Sequence, residues 1–162
     1  MKHKRILLLL MAVLMQVATY AQHSPDFAEK FMKQHQADST LKCVTVSPKM
    51  MEQLVKMHDD SRSDNIVQAI AKLKSARIVT GNADHYAKAL ELLKKNPQRF
   101  TAGKEYRTDE QHGVFYTRND RKGNTVEFIM LCEEPQRDKF TIINLTGDID
   151  NEFLCFLYNK SF

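Results

Sequence analysis

The spacing of apolar residues changes near residue 99, and this change constrains the fold more than any other feature of the sequence. Before it, several segments have apolar residues at helical spacing, as Phe27 and Phe31 show. From Arg99 to Thr146, apolar and polar residues alternate instead, which is the period of a β-strand. The sequence therefore predicts helices first and an antiparallel sheet later.

The first half also contains two short segments rich in β-branched residues, which predict strands at Leu41–Ser47 and Ala76–Thr80. Four helices are predicted around them. Two begin at Ser-Pro pairs, because the hydroxyl can cap a helix and proline fits its first position. We expect these helices at 24–36, from Pro48 to His58, from Asp64 to Leu73, and after Gly81-Asn82 with Tyr86, Leu90 and Leu93 on the buried side.

Polar turns separate the strands of the second half, which we expect near Phe100–Thr108, Gly113–Arg118, Thr125–Glu133 and Lys139–Thr146. A closing helix is predicted with Ile149, Phe153, Phe156 and Leu157 facing inward. The expected fold class is α+β with two layers. N-terminal helices with two strands are followed by an antiparallel β-meander and a C-terminal helix. No linker interrupts residues 22–162, so a single domain is predicted.

Three segments of the chain resemble a known family. They are "SPKMMEQLVKM", "IVQAIAKLKSARIVT" and "EFIMLCEEPQRDKFTIINLTGDIDNEFLCFL". Together they are similar to a bacterial envelope family known only as domain of unknown function 4252, from about Phe27 to Leu157. In the "GDID" element, Gly147 would serve a tight exit from the strand, and Asp148 or Asp150 would cap the helix. The resemblance implies fold and export and supplies no catalytic residues.

The N-terminus has the layout of a secretory signal peptide. Lys2, Lys4 and Arg5 precede an apolar run that ends near Met15, short of the roughly 20 residues of a spanning helix. The small residues Thr19 and Ala21 predict cleavage between Ala21 and Gln22. Residues 1–21 would then be removed, leaving an exported protein, periplasmic or secreted, without a stable membrane anchor. An uncleaved N-terminal anchor is the alternative.

Charge and cysteine content limit the function classes. Three of the 24 basic residues lie in the leader, so 21 remain against 20 acidic ones. A nearly neutral domain has no electrostatic reason to bind nucleic acid. The three cysteines, Cys43, Cys132 and Cys155, permit at most one internal disulfide, and we expect none.

The clusters of titratable residues do not match catalytic or metal-binding motifs. "HDDSRSD" (His58 to Asp64) and "DIDNE" (Asp148 to Glu152) lack the glycine and the late glutamate of a calcium loop, and we interpret both as helix-capping segments. Asp84-His85 is interpreted as a helix start rather than an acid–base pair. No catalytic residue, metal site or cofactor is predicted.

The later strands carry apolar residues on both sides. Ile129 and Leu131 point opposite to Phe128 and Met130, and Ile143 and Leu145 point opposite to Phe140 and Ile142. An antiparallel sheet covered on one face normally alternates apolar with polar residues. Either helices cover both faces, which we favour, or one face is exposed to another chain. The second case predicts a partner-binding face formed by Ile129, Leu131, Ile143 and Leu145.

The function hypothesis is therefore a non-catalytic binding or assembly module, with a protein partner or a homo-oligomer formed through a sheet face. Two alternatives stay open. One is a hydrolase-like enzyme of unrecognised type, with a cleft where the first two strands meet the meander. The other is a carrier for a small apolar ligand, which needs an apolar cavity between sheet and helices.

Overall fold

The computed structural model describes residues 24–58 and 64–160. These residues form five α-helices and six β-strands. In chain order they are α1 (Phe27–Gln34), β1 (Lys42–Val46), α2 (Pro48–His58), α3 (Asp64–Ala71), β2 (Leu73–Gly81), α4 (Asp84–Lys94), β3 (Thr101–Arg107), β4 (His112–Asn119), β5 (Thr125–Glu134), β6 (Lys139–Ile149) and α5 (Asn151–Lys160). None of these helices has the length and apolar character needed to span a bilayer. The predicted leader and its Ala21-Gln22 cleavage site lie outside the described residues.

The six strands form one antiparallel sheet in the order β1-β2-β6-β5-β4-β3. The meander β3 to β6 is sequential, and β6 then pairs with β2, which joins the two early strands to the later ones. The predicted α+β class, with early helices, an antiparallel meander and a C-terminal helix, is confirmed. All six predicted strands are present, with ends shifted by a few residues.

The helices divide between the two faces of the sheet. On the first face, α1 and α4 bury Phe31 and Leu93 against Ile129, Leu131 and Ile142. On the second face, α3 and α5 bury Ile70 and Phe153 against Phe128 and Leu145. The sheet therefore lies between two helical layers, which corrects the predicted two-layer packing. The physical reason is that β5 and β6 are apolar on both sides, so each face needs its own cover.

Several helix boundaries differ from the sequence prediction. The first helix is capped by Asp26, whose carboxylate accepts the Glu29 N–H at 2.8 Å, and not by Ser24. The last helix begins only at Asn151. Its cap is Asp150, one of the two residues predicted for this role, whose carboxylate accepts the Phe153 N–H at 2.8 Å. Leu73 and Ile149 were expected in helices but lie in β2 and β6, because both strands extend further than predicted.

Gly147, near the end of β6, pairs with Leu73, the first residue of β2. Its φ is +142°, and a β-carbon there would lie 2.6 Å from the Leu73 Cα and from the Lys72 carbonyl oxygen. The register between β2 and β6 shifts between Leu73 and Ser75, opposite this glycine. Only glycine combines that backbone angle with so close an approach.

Candidate functional site

The predicted partner-binding face is divided by the strand register. Because Met130 pairs with Ile143 and Leu131 pairs with Ile142, Ile143 shares a face with Met130 and not with Leu131. Ile129 and Leu131 are fully buried on the first face, and Leu145 is buried on the second. The four predicted residues therefore do not form one surface. Internal coverage by helices, the favoured alternative, accounts for three of them.

Ile143 belongs instead to a partly exposed row of apolar side chains on the second face. The row crosses four strands, since Val44 pairs with Ile78, Ile78 with Ile143, and Ile143 with Met130. Val44 is 58% exposed and Ile78 37% exposed, whereas Ile143 and Met130 are half-buried. We call Val44, Ile78, Ile143 and Met130 the apolar row. The sequence prediction missed Val44 and Ile78 because it was based on the later strands alone. In "KCVTV", however, Val44 and Val46 also stand at alternate positions, on one side of the strand.

The apolar row runs out to β1, one of the two outer strands among the described residues. The other outer strand, β3, includes the charged residues Lys104, Glu105 and Arg107 and has a register shift between Ala102 and Glu105. Charges and bulges of this kind prevent an edge strand from pairing with another chain. By contrast, β1 pairs with β2 in unbroken register and carries a single charge, at its first residue, Lys42. The β1 edge thus lacks the protection that β3 has.

Glu127 and Asn144 form a buried polar network under the start of α1. Glu127 Oε1 accepts the Phe27 N–H at 2.7 Å and the Asn144 amide at 3.1 Å, and Arg118 Nε donates to Oε2 at 2.6 Å. Asn144 Oδ1 accepts the Ala28 N–H at 2.7 Å. Together with Asp26, these side chains satisfy the free N–H groups of the first helical turn. The network anchors α1 to the centre of the sheet.

A polar cleft of about 320 Å³ lies beside this network. Its lining mixes opposite charges, with Arg118 and Lys74 against Asp26 and Asp120. Both Glu127 oxygens are already engaged, so the carboxylate has no free oxygen for a substrate proton. Asp120 is likewise occupied, since one of its oxygens accepts backbone N–H groups of its own hairpin. Glu127 and Asp120 are therefore both held by hydrogen bonds from neighbouring groups of the protein.

His85, which the sequence places in an Asp-His pair, is buried on the first face. Its Nε2 lies 2.8 Å from Asp38 Oδ2, and its Nδ1 lies 3.2 Å from the Asn82 carbonyl oxygen. Asp38 in turn accepts the Thr40 hydroxyl at 2.6 Å. The hydroxyl contacts the carboxylate rather than the imidazole, so the order differs from that of a nucleophilic triad. With both ring nitrogens against oxygen atoms, His85 holds the 35–41 loop to α4.

The remaining predicted clusters have structural roles or lie outside the described part of the chain. The loop 59–63 and the His58 side chain are not described. In the "DIDNE" segment, Asp150 caps α5 and forms an ion pair with Lys72 at 3.1 Å. Among the described residues, no group of three or more His, Cys, Asp or Glu side chains is arranged to hold a metal ion.

The cysteines are free in this structure. Cys43 is exposed on β1, Cys132 is buried on β5, and Cys155 is exposed on α5. Burial raises the pKa of the Cys132 thiol, which keeps it protonated and unreactive. The cysteines thus provide no internal cross-link, and Cys132 contributes as a small apolar side chain of the second core.

Comparison with known proteins identifies the family. No curated protein matches the chain. Among solved structures, a crystal structure of PA94, a protein of unknown function from Pseudomonas aeruginosa, matches with a TM-score of 0.35 and 12% identity, over 75% of this chain and 76% of that one. The family described as "Domain of unknown function (DUF4252)" matches residues 34–154, and because this is most of the chain, the protein belongs to that family.

Proposed function

We propose that the protein is a non-catalytic assembly module that acts after export and pairs with a second copy of itself through β1. The observation that carries this proposal is the contrast between the two edges of the sheet. The β3 edge has charges and a bulge, whereas β1 is regular and ends the apolar row at Val44. If the predicted signal peptide is cleaved on export, this association would occur in the periplasm or outside the cell.

A second copy fits β1 because the strand is self-complementary. If two β1 strands pair antiparallel about Val44, each Val44 faces its counterpart, and Lys42 faces Val46 of the other copy. The two lysines are then kept apart, and the two apolar rows join into one continuous stripe across both sheets. Such a contact uses the same patch on both copies, as a two-fold symmetric dimer requires.

Self-association is tested by sedimentation velocity on the purified protein, Val44→Lys and the matched variant Ala102→Lys. We expect the wild type and Ala102→Lys to sediment as dimers, because Ala102 lies on the opposite, β3 edge. Val44→Lys is expected to sediment as a monomer with an unchanged circular dichroism spectrum, since the new charges would face each other. A wild type that stays monomeric at its highest soluble concentration contradicts the proposal.

The register is tested by disulfide cross-linking. Residues directly opposite in an antiparallel pair have Cα atoms about 4.5–5.5 Å apart, within the reach of a disulfide. In a Cys43→Ser, Cys155→Ser background, Val44→Cys should therefore form a covalent dimer under mild oxidation, and Thr45→Cys should not. If native Cys43 cross-links and Val44→Cys does not, the strands pair about Cys43 and the Val44 register is wrong.

A further inference from the structure

A second cleft lies on the first face, between α1 and the segment that follows α4, away from the β1 edge proposed for self-association. Its volume is about 200 Å³. Phe27, Leu92 and Phe100 provide apolar walls, and Lys30 and Arg99 provide two positive charges. No carboxylate is among the residues that line it. It therefore differs from the polar cleft at Arg118, where basic and acidic side chains alternate.

Arg99 is held in place, and no carboxylate among the described residues forms an ion pair with it. Its Nη2 donates to the Pro25 carbonyl oxygen at 3.0 Å, and its guanidinium carbon lies 5.3 Å from the centre of the Phe100 ring. Its buried Nε has no acceptor among the described residues. A guanidinium with most of its N–H groups uncommitted and its position fixed is well suited to bind a carboxylate.

Lys30 is partly buried near this guanidinium. Burial and the repulsion from Arg99 lower the pKa of Lys30. Glu127 is the acidic group that acts on it in the opposite direction, but its oxygens are already engaged by Arg118, Phe27 and Asn144. Two cations that repel each other thus line one cleft whose lining residues include no carboxylate, and a bound anion would relieve this repulsion.

From this arrangement we infer that the cleft between α1 and the end of α4 binds a small organic carboxylate, with its charge on Lys30 and Arg99 and its short apolar body against Phe27 and Phe100. The volume limits the ligand, since sites for drug-sized molecules occupy about 300–1,000 Å³. The inference does not depend on self-association through β1, because the two surfaces involve different elements.

The binding test is an NMR titration of the purified protein with butyrate, with butylammonium and butanol as matched cationic and neutral probes. Butyrate is expected to shift the amide signals of residues 27–34 and 92–100 in a saturable way and to raise the pKa of the Lys30 ammonium, because a nearby anion stabilises its charged form. The two control probes should produce neither effect. Inorganic phosphate that saturates the same signals more tightly than butyrate would overturn the assignment to a carboxylate.

Variants separate a specific site from general charge attraction. Lys30→Met removes the proposed contact and should weaken butyrate binding roughly tenfold or more, as expected for a charge-assisted hydrogen bond. Lys33→Met removes the same charge from the exposed side of α1 and should leave binding unchanged. Equal weakening by both variants, or a Lys30 pKa that does not respond to butyrate, would overturn the inference.

Discussion

Arg118 and Glu127 form an ion pair in which the two partners differ in exposure. The Glu127 side chain is 0% exposed, whereas the Arg118 side chain is 25% exposed. Removing Arg118 therefore leaves a buried carboxylate without a cation. Removing the charge of Glu127 leaves an arginine that water can reach. The two losses should have unequal effects on stability.

We predict that Arg118→Met lowers the free energy of unfolding by about 3 kcal/mol, because it leaves a buried charge unpaired. Glu127→Gln keeps an oxygen for the Phe27 N–H and should cost about 1–2 kcal/mol. Urea denaturation followed by circular dichroism measures both. Arg121→Met, in the exposed hairpin, is the control and should change little. A larger loss for Glu127→Gln than for Arg118→Met would contradict this account.

Asp38 should make stability depend on pH in the acid range. Hydrogen bonds from the Thr40 hydroxyl and backbone N–H, and then from His85, lower the pKa of Asp38 from 3.8 to about 2. A carboxyl group with a lowered folded-state pKa stabilises the fold above its ordinary pKa, and this contribution disappears as the pH falls from 3.8 towards 2. The affected window therefore lies below pH 4.

We predict that Asp38→Asn is less stable than the wild type at pH 7 and that the difference shrinks towards pH 2. Thermal or urea unfolding at several pH values measures it. Thr40→Val removes the hydroxyl that is the main cause of the lowered pKa of Asp38. The stability of this variant should therefore fall less than that of the wild type as the pH decreases below 4. A difference between wild type and Asp38→Asn that stays constant from pH 7 to pH 2 would show that this carboxyl group does not contribute in this way.

The partners of individual polar residues could not be read from the sequence. Glu127 contacts Phe27 across a separation of 100 residues, and His85 contacts Asp38 across 47. The sequence could show that Glu127 interrupts an apolar strand, but a charged residue there is equally consistent with an exposed face. Only the docking of α1 onto the sheet distinguishes these two environments.

At the scale of the secondary-structure elements, the pairing of the start of β2 with the end of β6 depends on Gly147. We predict that Gly147→Ala destabilises the protein by at least about 2 kcal/mol, since a side chain there combines a strained backbone with contact against the β2 backbone. Gly123→Ala is the matched control. Gly123 also has a positive φ, +87°, but nothing lies within 4 Å of the added carbon. Its loss should be smaller, about 1 kcal/mol.

Chemical denaturation measures the free energy of unfolding of both glycine variants and so compares their losses. If Gly123→Ala is as costly as Gly147→Ala, backbone conformation alone explains the effect, and the close approach of the two strands contributes nothing. If neither variant is destabilised, the tight pairing of β2 and β6 at Gly147 is not required.

Element types were predictable because periodicity and turn residues act locally. The strand at 41–47 and the helix from Pro48 to His58 are close to their predicted bounds. The misplaced boundaries are those where a distant element intervenes. Ile149 continues β6 because Thr125 pairs with it, and Leu73 joins β2 because Gly147 pairs with it.

Across the whole molecule, two cores share the same strands. Phe140 is buried in the first core and Phe128 in the second, on the neighbouring strands β6 and β5. Because the central strands belong to both cores, loss of packing on one face should weaken the other.

We predict that Phe128→Ala and Phe140→Ala each lower the free energy of unfolding by about 3–5 kcal/mol. Each should also unfold in one transition when near- and far-ultraviolet circular dichroism are compared. Met50→Ala, at a side chain that is 52% exposed, is the control and should cost little. Two separated transitions in either variant would show that the cores unfold independently.

The sequence was sufficient to predict the family resemblance, the α+β class and the apolar character of both sides of β5 and β6, because these depend on periodicity and on short motifs. The register and the order of strands were decided by tertiary packing. They divide Ile129 and Leu131 from Ile143 and Leu145, and they bring Val44 and Ile78 into line with Ile143. Which apolar side chains stay exposed depends on where the helices dock, and docking is set by contacts between residues far apart in the chain.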